Sequence, residues 1–342
     1  MSTNKKRFSL GLVAVLVCSL MVTTANAAKT YKFTMQNMFS LNHPVTVAMN
    51  KLAADVKEKS DGRIVIQVLP AGALVKGPSI FESVGMGSID MGTTCSAYHS
   101  GILPVAATAF ALPGDPRGVN EIKEFIYQDK IFKFFRDSYA TQNVLYGAPL
   151  IMDGYTIVSK KPINSWEDLK TMKVRASGTI AKTLKKMDIP TVFIPFSEIY
   201  VALSRGTIDA EISGNHAESY LAKTFEVAKY QTTPYISGAQ NCEVITNLDR
   251  YNELPDDLKA ILETALKDSA LNMIDAFEAE NSAVIEKMKE AGTEFVELPD
   301  EVMQKWIATA VKMWDEELTT DDLSAQYIAL VKENLKSLGY EL

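Results

Sequence analysis

Residues 60–72 read Ser-Asp-Gly-Arg-Ile-Val-Ile-Gln-Val-Leu-Pro-Ala-Gly. A turn at Ser60-Asp61-Gly62 releases a run rich in β-branched residues, and Pro70 and Gly72 close it, which predicts a strand over 63–69. Working outward, Pro44 to Lys59 places Val45, Val47, Ala48, Leu52, Ala53 and Val56 at helical spacing, and Tyr31-Lys-Phe-Thr-Met35 alternates as a strand does. On the other side, Ser79 to Met86 reads as a helix ended by Gly87. Strand, helix, strand, helix in this order predicts an α/β layer.

The plan returns later in the chain. Gly87-Ser-Ile-Asp90 and Gly206-Thr-Ile-Asp209 each follow a helical stretch and precede a short strand, with Gly fitted to a left-handed C-terminal cap. A second α/β unit is predicted to begin near Asp153. Its elements are a strand at Tyr155–Ser159, a helix start boxed by Ser165 and Asp168, strands at Lys173–Ala176 and Val192–Ile194, a helix at Ser197–Ser204 and a strand at Ile208–Ser213. Pro255 to Ala291 then stays helical with no Gly or Pro inside it, a rod of about 55 Å at 1.5 Å per residue. Such a rod outruns one lobe and is expected to run along both. A strand at Glu294–Leu298 and helices at Asp300–Glu317 and Ser324–Ser337 end the chain.

The N-terminus indicates export. Lys5, Lys6 and Arg7 precede an apolar stretch from Phe8 to Val22, and Ala25-Asn26-Ala27 supplies a small-residue cleavage site. Residues 1–27 read as a signal peptide, and Val17 before Cys18 does not suit lipoprotein processing. Removing three leader cations from a net charge of −7 leaves 315 residues at −10. Such a chain lacks the cationic excess that binds nucleic acid, and no later stretch is apolar enough to span a membrane. Two lobes of roughly 100 to 150 residues suit this length. Cys95 and Cys242 permit one disulfide and leave their pairing open.

Motifs for chemistry are missing: there is no Gly-x-Gly-x-x-Gly after a strand, no P-loop, no His-Glu-x-x-His, no Gly-x-Ser-x-Gly and no Cys-x-x-Cys. His43, His99 and His216 are scattered, His43 as a helix-start residue and His99 as a loop residue. Asp90, Asp209 and Glu211 read as strand-end caps or ion-pair partners rather than as acid/base pairs. No enzyme, metal or cofactor is expected.

His43-Pro44, Ser60-Asp-Gly-Arg-Ile-Val-Ile66, Gly87-Ser-Ile-Asp-Met91, Lys161-Pro-Ile-Asn-Ser-Trp-Glu-Asp-Leu-Lys170, Lys173-Val-Arg175, Pro195-Phe-Ser-Glu-Ile-Tyr-Val-Ala-Leu203, Gly206-Thr-Ile-Asp209 and Val227-Ala-Lys-Tyr230 occur in order across most of residues 30–270. This ordered set resembles the solute-binding proteins of tripartite ATP-independent periplasmic (TRAP) transporters of the dicarboxylate-binding, DctP-like type. The resemblance implies a two-lobed periplasmic-binding-protein-like fold with a hinge and a long helix across both lobes. It places residues 28–152 and 242–282 in lobe I, and residues 153–241 and 283–342, with the C-terminal helices, in lobe II. It implies a periplasmic protein that encloses a small organic acid and delivers it to membrane permease subunits. Competing readings are a periplasmic sensor that docks on a receptor and a periplasmic enzyme acting in the cleft.

The resemblance also places Arg175 at a strand end facing the cleft, where a guanidinium fork suits a carboxylate. Phe196 matches an aromatic that packs on the ligand. Ser213 stands where many members place Asn or Trp, so the polar contact comes from Ser213 or shifts to Asn215. Tyr155 and Cys95 replace the Arg and Glu of sialic-acid binders, and Ile212-Ser213 replaces the Glu-Trp pair of members that bind keto acids through a metal. Gln36, Asn37 and Tyr98 are candidate first-lobe contacts, with turn and edge roles as the alternative. One cation among aromatic walls predicts a monocarboxylate with an apolar or aromatic body.

Overall fold

The computed structural model describes residues 29–340, so the expected leader and Cys18 lie outside the described residues. Two sheets organise the chain. The first lobe holds β1 (Tyr31–Gln36), β2 (Ile64–Leu69), β3 (Met91–Cys95), β4 (Val144–Met152) and β10 (Gln240–Asn247), in the order β2-β1-β3-β10-β4. β1 runs parallel to β2 and β3, whereas β10 runs antiparallel to β3 and β4. The second lobe holds β5 (Val158–Ser159), β6 (Val174–Arg175), β7 (Thr191–Val192), β8 (Ala210–Glu211), β9 (Tyr230–Thr233) and β11 (Glu294–Glu297), in the order β11-β9-β5-β8-β6-β7.

The Pro44–Lys59 helix starts as its sequence predicts. Pro44 occupies the first turn, where its missing N–H costs nothing, and His43 Nδ1 accepts the Val45 N–H at 3.2 Å. The repeated Gly-x-Ile-Asp segments also share one geometry. Gly87 and Gly206 take φ of 74° and 71°, the left-handed region that only Gly enters freely. The next two N–H groups fold back on Ser83 in one copy and on Ala202 in the other. The Asp90 carboxylate then accepts the Thr34 N–H at 2.8 Å, and the Asp209 carboxylate accepts the Lys173 N–H at 2.9 Å. Each aspartate thus anchors a strand to its neighbour.

Second-lobe strands are shorter than their sequence suggests. β5, β6, β7 and β8 have two residues each, and single bonds such as Ala176 N–H to the Val192 carbonyl carry the pairing on beyond the ladder, whereas β9 and β11 pair over four residues.

The long helix spans Asp256–Glu290, 35 residues or about 52 Å. Leu258, Leu262 and Leu266 join the core that runs through both lobes, while Val284 and Met288 pack on Ala217 and Phe225 of the second. Two further segments, 153–157 and 234–239, cross between the sheets, and they touch each other. Ile236 N–H donates to the Tyr155 carbonyl at 2.8 Å, and a side chain on Gly154 would collide with the Ser237 carbonyl.

All three tryptophans fix this frame by donating their indole N–H to buried carbonyls: Trp166 to Val302, Trp306 to Ile236 and Trp314 to Pro113. The terminal helix Asp322–Ser337 departs from expectation. It packs on the first lobe, because Tyr327, Ile328, Val331 and Leu335 meet Phe125 and Phe135 there.

Cys95 and Cys242 sit opposite each other on β3 and β10 and form a disulfide across 147 residues of sequence. A cross-link of this span restricts the unfolded chain, and the Cys95→Ser/Cys242→Ser variant is expected to lose about 2 to 5 kcal/mol in urea unfolding. An unchanged midpoint would show the bond to be dispensable.

Candidate ligand-binding site

Arg175 ends β6 at the inner edge of the second lobe and is 2% exposed. Its Nε donates to the Ile194 carbonyl at 2.8 Å and its Nη1 to the Ile212 carbonyl at 3.4 Å. Among the described residues no carboxylate lies within ion-pair distance of it. A buried cation held by carbonyls alone keeps much of its desolvation cost uncompensated. Phe193 lies over the guanidinium at 5.7 Å and meets the edge of Tyr98, from the first lobe, at 6.3 Å.

Beneath this rim is a cavity of about 30 Å³. The first lobe supplies Phe39, Cys95, Tyr98 and Phe110; the second supplies Tyr155, Arg175, Phe196, Ser213 and Glu218, with Gln240 at the start of β10. The structure therefore brings Arg175, Phe196, Ser213, Tyr155, Cys95 and Tyr98 together. It does not bring the other three. Gln36 Nε2 donates to the Pro70 carbonyl at 2.6 Å and its Oε1 accepts the Leu74 N–H at 3.0 Å, so it holds the 70–74 turn. Asn37 is tied to Thr93. Asn215 caps the His216–Leu221 helix, its Oδ1 accepting the Glu218 N–H at 2.9 Å.

The residue that the sequence reading missed is Glu218. The Asn-x-x-Glu spacing of 215–218 marks a capping box, and that box forms. What spacing does not reveal is that the capping carboxylate turns inward. Its Oε2 accepts Gln240 Nε2 at 2.7 Å and the Asn215 N–H at 3.2 Å, and Gly214 has no side chain because the carboxylate occupies its place. Burial pushes the Glu218 carboxyl up to about 7, with Gln240, Asn215 and Arg175 opposing and Glu211 assisting. Glu211, bonded to Ser213 and to Thr224 Oγ1, is likewise raised by burial.

The histidines stay apart. His43 caps a helix, His99 lies 3.4 Å from Glu243 inside the first lobe, and His216 faces Gln231 at 2.7 Å. Burial lowers His43 to about 4 and His99 to about 3, so both are neutral. Among the described residues no three or more His, Cys, Asp or Glu side chains gather as a metal site would need.

Three comparisons bear on this geometry. Residues 35–321 match the model of a family described as bacterial extracellular solute-binding protein, family 7. The monocarboxylate 2-oxoacid-binding periplasmic protein of Nostoc sp. is 28% identical over 280 residues, 80% of this chain and 76% of the relative. The C4-dicarboxylate-binding periplasmic protein of Rhodobacter capsulatus is 23% identical over 94% of this chain and 96% of its own. Among solved structures, a TRAP periplasmic solute-binding protein from Pseudoalteromonas atlantica with bound sodium and pyruvate superposes with a TM-score of 0.83 at 25% identity, covering 91% of this chain and 95% of that one.

Glu211, Glu218 and Glu243 all hold their protons to higher pH when folded than when unfolded. Each of these acids therefore makes stability fall as pH rises above about 4.5, whereas His43 and His99, neutral when folded and protonated below about 6.5 when unfolded, act with the opposite sign. Glu218, raised from 4.5 to about 7, accounts for about 3 kcal/mol of that fall. Urea unfolding of the wild type and Glu218→Gln at pH 5 and pH 8 isolates the Glu218 share: the stability of the variant relative to the wild type is expected to be about 2 to 3 kcal/mol more favourable at pH 8 than at pH 5, and an equal difference at both would contradict it.

Proposed function

We propose, for a chain that belongs to family 7 of the bacterial extracellular solute-binding proteins, the DctP family, that it captures a small organic monocarboxylate in the periplasm and delivers it to TRAP membrane permease subunits. The observation that carries this reading is the Arg175 guanidinium, buried at the junction of two lobes with no carboxylate of its own. An incoming carboxylate supplies the missing charge and accepts from the donor fork, and charge-assisted bonds of this kind contribute about 1.5 to 3 kcal/mol each.

The relatives' names span one and two carboxylates. Charge balance favours one here, since the cavity is lined by a single cation, Arg175, and a single acid, Glu218, with Glu211 buried behind Ser213. Size restricts the ligand further. A cavity of about 30 Å³ is about the volume of one water molecule, so an organic acid enters only as the lobes part, and the smaller the acid the less they must part.

The relative from Pseudoalteromonas atlantica holds sodium with its pyruvate, but among the described residues here no three or more His, Cys, Asp or Glu side chains gather that could hold a metal ion. Hard cations want several oxygens at once, whereas among the described residues lining the cavity one carboxylate, Glu218, has a single oxygen, Oε1, without a hydrogen-bond partner. The reading is therefore of direct carboxylate capture by Arg175. Release to the permease follows if ligand contacts both lobes and favours their closed arrangement, since a ligand shifts a conformational equilibrium by its differential affinity. Among the described residues no helix is long and apolar enough to cross a membrane.

A thermal-shift panel of acetate, propionate, pyruvate and lactate tests the reading, because a ligand at a hundred times its Kd adds about 2.7 kcal/mol to stability. At least one acid is expected to raise the melting temperature, and Arg175→Ala is expected to weaken its binding tenfold or more while the protein remains folded. Equal affinity in the variant would place the anchor elsewhere.

A further inference from the structure

Glu218 has a conventional explanation as half of a capping box, yet three features exceed that role. It lines the cavity with Arg175, whereas a capping carboxylate is ordinarily solvated. It is held from outside its own helix by Gln240 Nε2 at 2.7 Å, and Gln240 in turn donates to the Asp153 carbonyl at 3.0 Å. Both recorded donors go to Oε2, so Oε1 has no hydrogen-bond partner among the described residues. A carboxyl group fixed by one oxygen presents the other to whatever fills the cavity.

We propose that Glu218 is a second recognition group of this cavity: as a neutral carboxylic acid it donates its proton to the bound carboxylate, so that the protein captures one organic monoanion together with one proton from solvent. This inference rests on the cavity being the carboxylate site.

The surroundings set the direction of the effect. Arg175 and Glu211 face Glu218 from β6 and β8, and Tyr155 and Tyr235 face it from the two crossing segments. Burial keeps both tyrosines neutral. Asp153, raised by burial to about 6, titrates below the window that matters. Above neutrality Glu218 loses its proton and sets one anion against another in a dry site; Glu211, raised by the same burial, acts in the same sense, and a Glu218 variant separates the two. A bound carboxylate opposes that loss, which is the reciprocal statement of proton uptake on binding.

The test measures pyruvate and acetate affinity by calorimetry between pH 6.5 and 9 for the wild type and Glu218→Gln. An amide imitates the protonated acid in shape and in its ability to donate. Wild-type affinity is expected to fall about tenfold for each pH unit above about 7, while the Glu218→Gln profile is expected to be flat from pH 6.5 to 9 whatever its absolute affinity. A wild-type profile that is flat across this range, or one whose slope survives in Glu218→Gln, would overturn the inference and leave carboxylate capture standing. Failure of both proteins to bind either acid at any pH would overturn the reading of the cavity and this inference with it. A flat wild-type profile decides even if the variant does not fold.

Discussion

A guanidinium withdrawn from water must find negative charge or remain a burden on the folded state. Arg175 finds two main-chain carbonyls, at Ile194 and Ile212, and these orient it without neutralising it. Much of the surrounding structure follows from that constraint. The ends of β6 and β8 and the segment after β7 converge to aim the fork, Phe193 covers it, and a neighbouring lobe closes the space it faces. The two nearby acids give limited relief, since burial favours their neutral forms. Stability is thereby held back locally in a form that a carboxylate ligand can restore.

Much of this was legible in the sequence, for identifiable reasons. The strand at 64–69, the helix at 44–59 and the long helix declare themselves because each has one buried and one wet face, which gives a period to read. β4 lacks that signal. All nine of its residues are buried, so hydrophobicity does not alternate along it, and Pro149 reads as a breaker although an edge strand tolerates it. The terminal helix shows an apolar stripe but not which lobe the stripe meets; aromatic partners on the Asp129–Ala140 helix decide that through contacts remote in sequence.

The site divides in the same way. Arg175 ends a short strand, and its position on the cleft comes from family resemblance rather than from any local pattern. Gln36 and Asn37 have the chemistry of ligand contacts but spend it on the backbone at 70–74 and on Thr93. Glu218 is the reverse case, a residue whose local pattern is complete as a helix cap and whose second orientation depends on Gln240, 22 residues away. Cys95 and Cys242 show what register adds to composition, because pairing becomes evident once β3 and β10 are aligned.

The close approach of Gly154 to Ser237 has a mechanical consequence. Two crossing segments locked backbone to backbone, with Trp306 pinning Ile236 from outside, leave little freedom to slide. Any separation of the lobes is then a rotation about this seam, and displacement grows with lever arm. The Tyr98–Phe193 edge contact joins the lobes outside that seam, so turning at the glycine parts the two aromatic rings and opens the way to the guanidinium beside Phe193.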